Sequence, residues 1–296
     1  RYDVLGRPSL GTFLERLDTY DAEIQYNVHP IGAHTFTFGA GYRLSRDHVD
    51  NSPVIAFLPA DRDLAWTDAF VQDVIALRDD VKFTAGVRGE HNSYTGFEVF
   101  PSVRLSWQAT PQSLVWSGLS RAVRTPSRLD RDLYSPEQPP FLIAGGPDFR
   151  SETSNVIELG YRARPTPTVT YSLTAFHHIY DHLRSVELID GHFFEVANQM
   201  YGTATGVEGW ATWQVTPTWR LSAGGMALRQ RLQWRADSTD PTGVSAAGND
   251  PSNQWAVRSS MDLPHDTRLD VALRHVGALP DPAVPAYTAL DLRLAW

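Results

Sequence analysis

The chain of 296 residues carries no cysteine and a formal net charge of −8. Disulfide scaffolds and thiolate metal sites are thereby excluded, and the acidic balance argues against nucleic acid as a partner. Mean hydropathy is negative and no apolar run is long enough for a transmembrane helix, which leaves a membrane wall of strands open, because such strands are apolar on one face only.

Period-two alternation predicts thirteen long strands. They lie at 16–27, 33–48, 63–78, 81–94, 96–109, 112–124, 152–164, 168–189, 192–215, 218–232, 252–263, 267–279 and 285–296. The pattern is clearest after Asp80, where Val81, Phe83, Ala85 and Val87 share one face while Lys82, Thr84, Arg88 and Glu90 share the other. It recurs at the end, where Leu290, Leu292 and Leu294 alternate with Asp291 and Arg293. About ten residues of such alternation span a bilayer at a tilt. A charged inner face with an apolar outer face suits a wet lumen inside lipid; a soluble sandwich would turn its apolar face inward.

Connections fall into two classes. Thr110-Pro111, Thr166-Pro167, Thr216-Pro217, Asp79-Asp80 and Pro264-His265-Asp266 are tight turns, and the segments at 49–62, 125–151, 233–251 and 280–284 are longer and more polar. Tight turns at one end and long loops at the other mark an outer-membrane β-barrel, with the turns periplasmic and the loops extracellular. Asp190-Gly191 predicts a type I′ hairpin. Seven tryptophans, Trp66, Trp107, Trp116, Trp210, Trp213, Trp219 and Trp296, fit an interface belt, and each taken singly fits an ordinary sheet aromatic equally well. An antiparallel barrel closes only when its first and last strands run oppositely, so thirteen strands mean either a count short or long by one or, the reading favoured here, a piece of a larger barrel.

Several segments resemble those of TonB-dependent outer-membrane receptors. Ser120-Arg121-Ala122-Val123-Arg124-Thr125-Pro126-Ser127 is similar to the family's SRAxRxPs segment. Phe70-Val71-Gln72-Asp73, Gly86-Val87-Arg88-Gly89-Glu90, Pro101-Ser102-Val103-Arg104-Leu105-Ser106-Trp107, Ser151-Glu152-Thr153 with Glu158-Leu159-Gly160-Tyr161, Tyr180-Asp181-His182-Leu183-Arg184-Ser185 and Gly206-Val207-Glu208 follow in the family's order. The resemblance implies an all-β, antiparallel transmembrane β-barrel, with residues 1–296 forming part of a 22-stranded barrel whose lumen is plugged. It implies a bacterial outer-membrane receptor that takes up a large scarce solute, such as a ferric siderophore or cobalamin. It further implies coupling to the TonB complex through a plug domain that this chain does not contain. The expected partners are outer-membrane lipid and a metal-chelate ligand. A passive porin-like channel, a soluble β-sandwich binder and a membrane enzyme are the other readings.

Among candidate residues, Arg124, Arg128, Arg131 and Tyr134 open the longest loop, with Arg121 before them and Asp130 and Asp132 among them. Arginine forks bind phosphate or carboxylate, so these residues are candidate contacts for an anionic chelate. The interleaved acids, however, fit better an internal salt-bridge network that holds the loop and upper strand in shape. His178 and His182 share a strand face but stand about 13 Å apart when extended, too far for one ion. No nucleophile elbow, zinc helix or phosphate-binding glycine loop occurs, so no catalytic residue, metal site or cofactor is expected.

Overall fold

A computed structural model of the chain describes residues 2–4 and 13–296. Seven strands of the main sheet precede the longest loop: β1 (Tyr2–Val4), β2 (Leu14–Asn27), β3 (His34–Asp50), β4 (Asp61–Arg78), β5 (Val81–Asn92), β6 (Gly96–Thr110) and β7 (Ser113–Arg124). Seven more strands of that sheet follow it: β8 (Glu152–Thr166), β9 (Val169–Ile189), β10 (Phe193–Thr216), β11 (Trp219–Trp234), β12 (Asn253–Leu263), β13 (Thr267–Val276) and β14 (Tyr287–Ala295). Each is hydrogen-bonded antiparallel to its sequence neighbour, so the sheet is a simple meander. All thirteen expected strands are present. β1 adds a short fourteenth at the β2 edge, which corrects the odd count. The sheet nevertheless stays open, with no pairing between β1 and β14 among the described residues.

Register assigns the faces. Glu158, Thr174, Glu208, Arg258, Asp270 and Arg274 share the parity of the polar face, and the opposite parity carries Leu159, Leu173, Val207, Val257, Leu273 and Leu290. Among the described residues the apolar face has no protein layer over it: Ile24 is 72% exposed, Leu292 67% and Leu290 60%. This is the reverse of a sandwich and the arrangement lipid requires. Across the sheet the ladders satisfy the backbone groups that hydrocarbon could not.

The tryptophans divide between the two faces. Trp107, Trp213 and Trp219 lie on the apolar face near the tight-turn end, where a belt is expected. Trp66, Trp116 and Trp210 lie on the polar face instead, which corrects that expectation for them. Glycines opposite make the room: Trp116 faces Gly160, where a Cβ would overlap the indole, and Trp210 faces Gly224.

The two ends of the sheet differ as their sequences predict. Two-residue turns join β4–β5, β6–β7, β8–β9 and β10–β11 at one end. At the other end the β9–β10 hairpin turns on Asp190 (φ 48°) and Gly191 (φ 71°), both left-handed as a type I′ turn demands. Most fully buried apolar side chains cluster near this long-loop end. Val49, Ala56, Phe57, Phe149, Val196 and Met200 are all at most 6% exposed. Thus the core of this chain lies where its loops dock on the wall, not between two layers of secondary structure.

Candidate functional site

The 125–151 loop folds back over the polar face at the long-loop end. It begins with one helical turn, α1 (Arg128–Arg131), started by Ser127. The Ser127 amide and hydroxyl both donate to Asp130 Oδ2 at 2.9 Å, so the N-terminal acid closes the turn on itself. Further on, Ile143–Ala144 pairs parallel with Phe194–Glu195 of β10. Gly145 and Gly146 pass so close to the carbonyls of Arg131 and Val196 that a Cβ at either would overlap them. Asn198 of β10 then accepts from the Arg150 amide at 2.5 Å and donates to its carbonyl at 3.1 Å.

Two buried carboxylates organise the loop. Asp132, 3% exposed, accepts from Arg62 Nη1 at 3.1 Å, Arg128 Nε at 3.1 Å and the Tyr94 hydroxyl at 2.7 Å. Asp130, 1% exposed, accepts from Arg124 Nη1 at 3.0 Å, and Arg184 stands 3.6 Å away. Arg128 also donates to Asp47 Oδ2 on β3 at 2.7 Å, to the Ala60 carbonyl and to the Pro59 carbonyl. Buried charges persist only when paired and hydrogen-bonded in this way. Burial disfavours the charged form of Asp130, but Arg124 and the two Ser127 donors outweigh it and hold its carboxyl below the usual range. Burial, and then donation to Asp132, push the Tyr94 hydroxyl well above its ordinary value.

The four sequence candidates therefore separate. Arg128 is enclosed, and its Nε, Nη1 and Nη2 all donate to internal acceptors. Arg124 is about half exposed and bridges Asp130 and Glu152. Arg131 donates twice to the Phe149 carbonyl, at 3.0 and 2.7 Å, and lies over the Tyr94 ring. Tyr134 packs on Phe141, ring centroids 4.9 Å apart. Beside them a cleft of about 640 Å³ opens between loop and wall, lined by Tyr94, Glu98, Arg131, Asp148, Arg150 and His182 among others. Of the four, Arg131 alone reaches it. Sequence reasoning missed Asp47, Arg62, Tyr94 and Glu152, which come from other strands and turns. The sequence alone places Asp47 and Tyr94 near strand ends, Arg62 in a long loop and Glu152 in a family-like segment, and assigns no partner to any.

The histidines stay apart. His177 Nδ1 lies 2.7 Å from the Thr205 hydroxyl and His178 Nδ1 lies 3.0 Å from that of Tyr180. His182 sits at a register shift with φ 57°. No cluster of three metal-ligating side chains occurs among the described residues.

Comparison with known proteins agrees with this architecture. The family model described as "TonB dependent receptor-like, beta-barrel" matches residues 2–296. The iron-regulated outer membrane virulence protein of Vibrio cholerae serotype O1 is 29% identical over 154 residues, 51% of this chain and 23% of that protein. A ferric enterobactin receptor of Pseudomonas aeruginosa superposes with a TM-score of 0.72 at 18% identity, over 95% of this chain and 46% of its own. The FrpB iron transporter of Neisseria meningitidis superposes with a TM-score of 0.76 at 13% identity, over 96% and 48%. The chain thus spans about half the length of these solved structures.

Proposed function

The chain belongs to the TonB-dependent receptor β-barrel family of the bacterial outer membrane, and on that premise we propose that it forms part of the wall and outer mouth of an energised uptake receptor for a metal chelate. The proposed solute is an anionic ferric siderophore or a chelate of similar size. The observation that carries this reading is the docked 125–151 loop. It places a polar cleft lined by Arg131 and Arg150 at the mouth of a charged concave wall, on the side away from the tight turns. The iron-linked names of the similar proteins support it.

In this reading Arg131 and Arg150, which line the cleft, face the arriving solute, and Arg124 and Tyr134 support the loop outside it. Arg128 is a positioning residue beneath them, because its donors are already committed. No bond is made or broken. Guanidinium forks supply charge and direction to an anionic chelate. Release is driven through a plug domain by TonB.

The test is uptake of iron-55 supplied as defined siderophores, in cells whose only such receptor is the full-length protein. Uptake that needs both the receptor and an energised TonB complex supports the reading. Uptake that persists without TonB, or none with any chelate tried, overturns it.

A further inference from the structure

One stretch of the apolar face carries cations. On β11 the outward row runs Leu221, Ala223, Gly225, Ala227 and then changes character to Arg229 and Arg231. Arg229 stands opposite Thr205 and Arg231 opposite Thr203 of β10. Both arginines are exposed, and neither guanidinium has an ion pair or hydrogen bond among the described residues. A charged side chain on a lipid-facing surface is costly unless its head reaches the interface or finds a counter-charge.

Directly beneath them, toward the tight turns, lies an outward groove of about 560 Å³ lined chiefly by Ile157, Leu159, Ala175, Val207 and Ala227. It exists because Ala175 and Ala227 flank Val207 in register, so a shallow row runs past the ridge of Ile157 and Leu159. The floor is apolar. The upper end is not: Arg229 closes it together with His177 and Thr205, which are bonded to each other at 2.7 Å. From Val169 to His177 is eight residues, about 26 Å of strand and about 20 Å of height at the usual tilt. The arginines therefore stand near the top of the apolar band, at headgroup level.

We propose that this groove and its two arginines bind a phosphorylated lipid of the leaflet on the long-loop side, with an acyl chain along the groove and the phosphate between Arg229 and Arg231. Side chains two apart on one strand face start about 6.6 Å apart, a spacing from which both forks reach one phosphate. Charge complementarity selects the headgroup, and the apolar floor selects a lipid over a free anion. The site is on the convex face, away from the solute cleft. It rests on the membrane placement of that face and not on which solute is carried.

The experiment is native mass spectrometry of the intact, full-length receptor released from detergent. The probes are dioleoyl phosphatidic acid, dioleoylglycerol with the same chains and no phosphate, and inorganic phosphate. The phosphorylated lipid should be retained at least about tenfold over dioleoylglycerol, and inorganic phosphate should not compete at equal concentration. The Arg229→Gln/Arg231→Gln double variant should lose the preference while keeping heat-modifiable mobility. Should that variant not fold, Ala175→Phe fills the groove without touching the charges and should lower retention of phosphatidic acid. Equal retention of the two lipids by the native protein would overturn the proposal. So would an unchanged preference in a folded variant, or displacement by inorganic phosphate, which would mark a plain anion site.

Discussion

Arg128 Nη1 and Asp47 Oδ2 lie 2.7 Å apart, although 81 residues separate them in sequence, and both side chains are less than a tenth exposed. The pair ties the start of the longest loop to the third strand. Removing one partner of a buried pair costs about 3–5 kcal/mol, because the other charge is left without compensation. Asp47→Asn should therefore free the loop without unfolding the wall. Limited trypsin digestion of the full-length receptor should cut within 125–151 faster than in the native protein, with unchanged strand content by circular dichroism. Equal cleavage would mean that the pair does not hold the loop.

The opposite end of the loop depends on close approach. Gly146 leaves no room for a Cβ beside the Val196 carbonyl. Gly146→Val should displace the 143–150 segment at a cost on the order of 1–3 kcal/mol. A spin label at the exposed Gln138 should become more mobile, whereas a label on a tight turn such as Asp79 should not change. The absence of native cysteine makes single-site labelling clean.

Asp130 predicts a pH dependence with a definite sign. Its carboxyl is held below the usual range in the folded loop, burial opposing the charge but Arg124 and Ser127 outweighing it. The unfolded state binds the proton more readily. The stabilisation is then complete above the ordinary carboxylate value of about 4 and is lost as pH falls through the folded value. Mobility of the Gln138 label should stay flat from neutral pH to about 4 and rise below it. In Asp130→Asn the label should be mobile throughout.

Face assignment can be tested by one pair of substitutions. Leu173→Arg puts a charge on the apolar face and should cost about 2–4 kcal/mol in bilayer folding experiments on the full-length protein. Ser172→Arg points to the polar face beside Arg162 and Glu208 and should cost less than about 1 kcal/mol, the interfacial scale. Equal costs would contradict the assignment.

What could be read from the sequence follows from the range of the forces involved. Strand position and face come from alternation within ten residues, so Leu290 and Arg293 were placed correctly without any partner. The Asp190-Gly191 turn was legible because its conformation depends on two residues alone. The loop was legible only in part: its interleaved acids pointed to internal pairs such as Arg124–Asp130 and Arg128–Asp132, but not to which arginine is enclosed. Arg128 looked like Arg124 and Arg131, and only the arrival of Asp47, Pro59 and Ala60 from distant strands makes it an internal anchor. The polar-face tryptophans failed for a related reason: whether Trp116 belongs to a belt depends on Gly160 of the next strand. The strand count missed Tyr2–Val4, three residues too short to show a period.

The loop's two moorings, Asp47 on β3 and Val196 on β10, stand seven strands apart along the wall. A strap fixed at both ends sets the chord of that arc, and chord and strand spacing together set its curvature. At the tight-turn end no such tie spans the arc among the described residues, and the width there follows from strand pairing. The described wall is thus an open arc braced at its long-loop rim.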